Sequence, residues 1–289
     1  MSIDIPHISD KHRVITRIRE RLDSSPSDFA EHRDRIREER KTDGRSLAAG
    51  VLLPFLYREK AENRHDGGFV LQLIKRSPQV PQGGDLSGPG GMLHPFIDTM
   101  IMKCLRYGVP PIVDRARRNN LKKRGRPTRE AIMLFLATAV RESWEEIGLN
   151  PCNVRLLGPL PCYRLNLFPR TIFPLAVLVG KEWTFKPNWE VEKVVEIPLG
   201  SFFRGDNYGI FTLDHTHGTE NSTATQMTFP CFIHRDADGR EEILWGATFN
   251  IVLEFLRIVF DYALPEIRDA RRIARSITPE YLTGIRRAQ

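Results

Sequence analysis

The sequence predicts an α+β domain, a mixed central β-sheet layered between helices as an α/β/α sandwich, preceded by an N-terminal helical extension. Three observations predict it. Strand-length runs of apolar, β-branched and aromatic residues are grouped before and after one long helical segment, which argues against repeated β-α units. Two segments with apolar residues throughout, Thr128 to Ile147 and Thr248 to Tyr262, are long enough to cover sheet faces. At 289 residues, 41% apolar and 27% charged, the chain can bury one sizeable core or two modest ones and is not compositionally disordered.

Taken in order, Asp10 to Leu22 places Val14, Ile15, Ile18 and Leu22 on one helical face and basic residues on the other, and Ser24-Ser25-Pro26-Ser27 closes it. Phe29 to Arg45 is highly charged with few apolar residues and reads as a surface helix or connector. Ala48 to Tyr57 and Phe69 to Lys75 read as a hairpin around a polar loop containing Gly67-Gly68. Later strand runs are Val154 to Leu160, Thr171 to Val179, Lys193 to Pro198, Tyr208 to Leu213 and Thr228 to His234, the last followed by the turn Asp236-Ala237-Asp238-Gly239. The organisation read from this is a helical extension over 1–45, a main domain over 46–264 and a basic, helical tail over 265–289. There is no internal repeat.

Cys104, Cys152, Cys162 and Cys231 are sparse and contain no C-x-x-C pair, so neither a disulfide scaffold nor a thiolate zinc site is expected. Met1 to Pro6 lacks the basic and apolar regions of a signal peptide, and the ending Arg287-Ala288-Gln289 is no peroxisomal tripeptide. The longest apolar run, near Ala131 to Val140, is about half of a membrane span. A cytoplasmic protein with no membrane partner is the expectation. The formal charge of +7 invites a polyanion: nucleic acid, an acidic surface or a phosphate-rich small molecule.

The most informative stretch is Arg141-Glu142-Ser143-Trp144-Glu145-Glu146-Ile147-Gly148-Leu149. On a helix ended by Gly148, Glu142, Glu145 and Glu146 stand at i, i+3 and i+4, so their carboxylates reach toward a common point. Such hard oxygen donors suit Mg²⁺ or Mn²⁺. The alternative is a solvated acidic face paired with Arg141.

This stretch resembles the second half of the Nudix box, G-x5-E-x7-R-E-U-x-E-E-x-G-U, at Arg141, Glu142, Glu145, Glu146, Gly148 and Leu149. The first half departs from it. Met133 stands where the pattern has Glu, and Gly90-Gly91 lie about fifty residues before Arg141, as though an insertion, about 96–127, splits the box. Leu71 to Ser77 with Gln82 to Gly91 looks like the coenzyme A diphosphatase signature, L-L-T-x-R-S-x-x-L-x-x-H-x-G-x-V-S-F-P-G-G. The match falls on Arg76-Ser77, Gly84, Ser87 and Pro89-Gly90-Gly91, with Gln82 in place of His and Gly88 in place of Phe.

The resemblance implies a Nudix-type sandwich and attack of metal-activated water on a nucleoside diphosphate-linked substrate. Glu142, Glu145 and Glu146 would hold Mg²⁺ or Mn²⁺, Arg141 would orient the carboxylates, and Arg76, Ser87, Gly90 and Gly91 would contact substrate. Coenzyme A or an acyl derivative would be cut to 4′-phosphopantetheine, or its acyl form, and adenosine 3′,5′-bisphosphate. Glu190 is taken as the candidate general base, with Glu192 beside it. Lys75, Arg76, Arg164 and Arg170 are candidate phosphate contacts, and Asp98 could replace the missing box carboxylate if the insertion folds back. Other readings are a Nudix enzyme for a dinucleotide, nucleotide sugar or capped RNA, or a non-catalytic scaffold that binds a ligand or nucleic acid.

The insertion carries eight basic residues and no acid from Arg115 to Arg129, including the AT-hook-like Arg124-Gly125-Arg126-Pro127. A solvated loop, a phosphate-gathering lid and a protein or nucleic-acid contact are all compatible with it. Homodimer formation is left open.

Overall fold

A computed structural model describes residues 8, 10–42, 44, 46–59, 67–165, 169–215, 226–267, 271–277 and 281. Two helices, α1 (Lys11–Ser24) and α2 (Phe29–Thr42), precede strands β1 (Leu47–Arg58), β2 (Gly68–Arg76), β3 (Leu86–Ser87) and β4 (Gly90–Met92). Three helices follow, α3 (Pro95–Tyr107), α4 (Arg115–Lys123) and α5 (Arg126–Ile147). The remainder is β5 (Val154–Pro159), β6 (Tyr163–Arg164), β7 (Arg170–Val179), β8 (Val191–Pro198), β9 (Tyr208–His215), β10 (Gln226–Arg235), β11 (Glu241–Trp245), α6 (Gly246–Phe260) and β12 (Arg271–Ile277). Met1 to Pro6 and Arg287 to Gln289 lie outside the described residues.

The larger sheet runs β3-β2-β1-β7-β5, with β8 also paired to β2, β4 to β1 and β6 to β7. It is mixed: β1 pairs parallel to β7 and antiparallel to β2. Alternation along β1 feeds two cores, because successive side chains point to opposite faces. Leu53 and Phe55 join α1 and α6 in one core; Leu52 and Leu56 join α2 and α5 in the other. Helices therefore cover both faces, and the expected layered α+β sandwich is what the chain forms. Both N-terminal helices take part, with Ile18 and Leu22 of α1 in the first core and Phe29 of α2 set edge-on against the stacked pair Phe135 and Phe173 in the second.

A second sheet, β11-β10-β9-β12, corrects the reading of the tail. Residues 271–277 are a strand parallel to β9, not a helix, because alternating side chains such as Ile273 pack with Phe211 while β9 offers an open edge. The insertion is likewise no loose loop. His94 and Asp114 cap α3 and α4, and Gly108 ends α3 in the left-handed conformation. The basic run is partly internal: Arg117 is buried against Asp23, and Arg124 donates to the Leu22, Ser25 and Asp23 carbonyls at 2.5, 2.8 and 3.1 Å. Among the described residues no helix is long and apolar enough to cross a membrane.

Candidate functional site

The site is built where α5 lies across the backbone of β1. A Cβ at Gly50 of β1 would sit 2.5 Å from the Phe135 carbonyl oxygen, so only glycine permits this approach. Strand β4 pairs with β1 at the same level, Gly91 opposite Gly50. A Cβ at Gly91 would meet Glu142 Cδ at 2.5 Å, so the second box glycine lies directly against the first box glutamate of the helix. The Gly90 N–H donates to Glu146 Oε2 at 2.9 Å. Two stretches separated by about fifty residues thus close into one unit.

The carboxylates have unequal environments. Glu146 is 4% exposed, and burial pushes its carboxyl up to about 8; the Gly90 N–H opposes this, and the Glu142 charge adds to it. Burial also raises Glu142, against the pull of Arg141. Glu145 stands at the rim. Arg141 Nη1 reaches Glu142 Oε1 at 2.9 Å and Glu145 Oε2 at 3.2 Å, and its Nη2 donates to the Met92 carbonyl at 3.1 Å. Burial works against the Arg141 charge, but the Asp98 and Glu142 carboxylates outweigh it and hold the group more firmly protonated than usual.

Asp98 is where the insertion matters to the helix. It is fully buried on α3 and accepts from Arg141 Nε at 2.7 Å, Thr138 Oγ1 at 2.8 Å and the His94 N–H at 2.8 Å. Met133, at the position of the absent glutamate, is a buried core residue between α5 and its neighbours. The insertion does fold back, and its first helix brings the Asp98 carboxylate against Arg141 of α5.

Glu190 is near Glu146, whose carboxyl its charge helps to raise, because the connection before β8 is fastened to the end of α5: Asn188 N–H to the Glu146 carbonyl at 2.8 Å and Lys186 N–H to the Ile147 carbonyl at 2.9 Å. Glu192 instead pairs with Lys75 at 3.3 Å. Lys75 also reaches Glu242, and Arg164 reaches Glu39 at 3.5 Å, so both cations are engaged elsewhere. Arg76 is close enough to Glu146 and Arg170 to affect both charges, and buried Arg170 Nε has no hydrogen-bond partner among the described residues. Ser87, on β3, pairs with Ile74 of β2 in the same sheet.

A set of contacts that sequence reasoning missed holds the glycine-rich loop. Asp85 accepts from Tyr281 Oη at 2.6 Å, Arg275 Nη1 at 3.0 Å and Trp245 Nε1 at 3.2 Å, and Gln82 N–H donates to the Tyr281 carbonyl at 2.6 Å. No local pattern signals these partners, which lie up to 196 residues away in sequence. A cavity of about 660 Å³ beside Tyr163, Asn250 and Tyr262 contains none of the box residues.

No family model matches the chain. Over 79 residues it is 37% identical to peroxisomal coenzyme A diphosphatase ndx-8 of Caenorhabditis elegans, covering 27% of this chain and 33% of that protein. The chain therefore matches about a third of the length of that curated relative. Among solved structures, a C. elegans Ap4A hydrolase complex aligns with 54% of this chain and 82% of its own at 12% identity and a TM-score of 0.32. The Nudix domain of Shewanella oneidensis NrtR, complexed with ADP ribose, aligns with 54% and 75% at 16% identity and 0.31. RenU, a Nudix hydrolase of M. smegmatis, aligns with 53% and 70% at 14% identity and 0.31. Superpositions this loose add nothing to the fold, which stands on the sheet and helix order described above. The curated relative is a coenzyme A diphosphatase, the group whose signature the sequence resembles.

Proposed function

We propose that this chain is a metal-dependent diphosphatase that hydrolyses a nucleoside diphosphate-linked substrate, with coenzyme A or an acyl derivative as the substrate. The observation that carries the reading is the junction of Gly90 and Gly91 with Glu142 and Glu146 across the split box. The 79-residue match to a coenzyme A diphosphatase supports the substrate class.

By donor chemistry, carboxylate oxygens alone, Glu142, Glu145 and Glu146 suit a hard divalent cation, although among the described residues the three ligand atoms gathered within 4.8 Å of one another are those of Asp28, His32 and Cys162. Burial raises the half-buried Glu142 and the buried Glu146 carboxyls, and the Glu142 charge raises Glu146 further; a positive charge beside them would favour their ionised forms. Glu142, Glu145 and Glu146 would hold Mg²⁺ or Mn²⁺. When bound, the ion supplies charge neutralisation on the diphosphate and an acidified water.

The chain's own groups do the positioning. Arg141, fixed by Asp98, holds the Glu142 and Glu145 carboxylates in orientation, and the Gly90 N–H fixes one oxygen of Glu146. Arg76 and Arg170 would meet phosphate oxygens. Glu190 accepts the proton of the attacking water at its carboxylate. Water adds its oxygen to one phosphorus, the bridging P–O bond breaks, and the products are 4′-phosphopantetheine and adenosine 3′,5′-bisphosphate.

The test is product-resolved hydrolysis of coenzyme A and acetyl-coenzyme A with added Mn²⁺. Release of adenosine 3′,5′-bisphosphate is expected, falling by at least about a hundredfold in Glu145→Gln and Glu146→Gln. Wild-type turnover in either variant overturns the metal assignment. Cleavage of dinucleotides or nucleotide sugars alone would move the substrate while leaving the reaction class.

A further inference from the structure

The insertion turns outward two features that the box does not use. Phe96, Met100, Lys103 and Tyr107, spaced by four, three and four residues, form one stripe on the side of α3 opposite buried Asp98 and Leu105. Phe96 is 73%, Met100 49% and Tyr107 86% exposed, and Ile97 and Val109 flank them. Five of the eight large hydrophobic side chains exposed among the described residues are thus gathered between 96 and 109.

A cavity of about 240 Å³ is lined by Arg106, Arg118, Lys122 and Arg129 together with the apolar Leu105 and Met133. Glu130 is the one acid in the lining, and Arg106 and Arg126 already share it at 3.0 Å each. Arg118 donates to the Val113 carbonyl at 2.9 Å with its guanidinium against Gly108, next to Tyr107 and Val109. Lys122 and Arg129 have no ion-pair partner among the described residues. From 95 to 129 there are ten basic and two acidic residues; Asp98 is held by Arg141, and Asp114 caps α4 and meets Arg19.

Charge decides among occupants. A second copy seated on this face would bring two such basic sets together without counter-charge. Nucleic acid would answer the cations but leave Met100, Ile97 and Val109 without apolar cover. A lipid surface bearing anionic headgroups answers both, since phosphates meet the cations while the stripe enters the headgroup boundary. We propose that the α3–α4 face docks on an anionic phospholipid surface, with a headgroup phosphate in the cavity ringed by Arg106, Arg118, Lys122 and Arg129. This inference does not depend on the hydrolase reading.

The experiment is co-sedimentation of the whole chain with phosphatidylcholine vesicles, with and without a minority of phosphatidylserine. Binding is expected with phosphatidylserine alone, weakening as salt is raised. The pair Lys122→Gln/Arg129→Gln should lose about thirtyfold in affinity, at about one kcal/mol per cation. Met100→Ser/Tyr107→Ser, which leaves the charge intact, should lose binding independently, and unaltered thermal melting of both pairs shows that they fold. Four results overturn the proposal: equal binding to neutral vesicles, binding that neither pair weakens, retention of RNA or inositol hexakisphosphate without vesicle binding, or a dimer that Met100→Ser/Tyr107→Ser abolishes.

Discussion

Arg141 shows how one half-buried cation organises several acids. With Asp98 on one side and Glu142 and Glu145 on the other, it is neutralised from two elements at once. Removing one partner of a buried pair leaves an uncompensated charge, so Asp98→Ala should cost about 3–5 kcal/mol in urea unfolding, and Asp98→Asn less. A variant as stable as the parent would mean that Arg141 is held by its other partners alone. Glu146 gives a pH signature in the metal-free protein. Its folded value, about 8, lies above the ordinary 4.5, so as pH rises the unfolded chain loses this proton first. Stability should therefore be fullest below about pH 4.5 and fall toward pH 8, a decline that Glu146→Gln flattens in thermal melts and that added Mn²⁺ opposes. The carboxylates were legible from their helical spacing; their unequal burial was not, because it comes from β4 and from the connection before β8.

At the scale of elements, arginines tie helix ends together. Arg17 and Arg21 of α1 donate to the Val259 and Ile258 carbonyls that end α6, at 2.6 and 2.7 Å, while Arg124 does the same for the end of α1. Arg124→Ala should lower stability by about 1–3 kcal/mol, as three carbonyls lose a charged donor, whereas exposed Arg126→Ala should stay within about 0.5. Calorimetry of the two variants distinguishes an internal clamp from a free AT-hook. Contact between glycine and helix gives a second contrast. Gly91→Ala should abolish turnover with little loss of melting temperature, because Glu142 can swing away; Gly50→Ala meets backbone and should cost about 1–3 kcal/mol or more. The strands of the main sheet were legible because apolar runs of strand length mark them. The helices of the insertion were hidden by the density of charge in α4 and by the proline-rich turn before it. The amphipathic spacing of α3 was present in the sequence, but the apolar stripe faces outward rather than into a core.

Among the described residues the molecule has two sheets joined by side chains from distant positions. Strand β12 completes the smaller sheet along β9, and beyond it Arg275 and Tyr281 hold Asp85 in the loop that runs into the glycine turn. Ending the chain at 270 should expose the β9 edge and loosen that loop, read as faster amide exchange over residues 82–86 while α5 stays protected. Nothing in the local pattern of 271–277 foretold this, since a short basic run pairs as a strand only where an open edge awaits it. The order of synthesis gives that contact a temporal meaning. Arg275 follows Asp85 by 190 residues, so at about 5–20 residues per second roughly 10–40 s pass between translation of the loop and of its clasp. During that interval a nascent chain can already assemble the larger sheet around α5, but its glycine-rich loop is still unfastened. Fastening of that loop is therefore a late event in the life of each molecule.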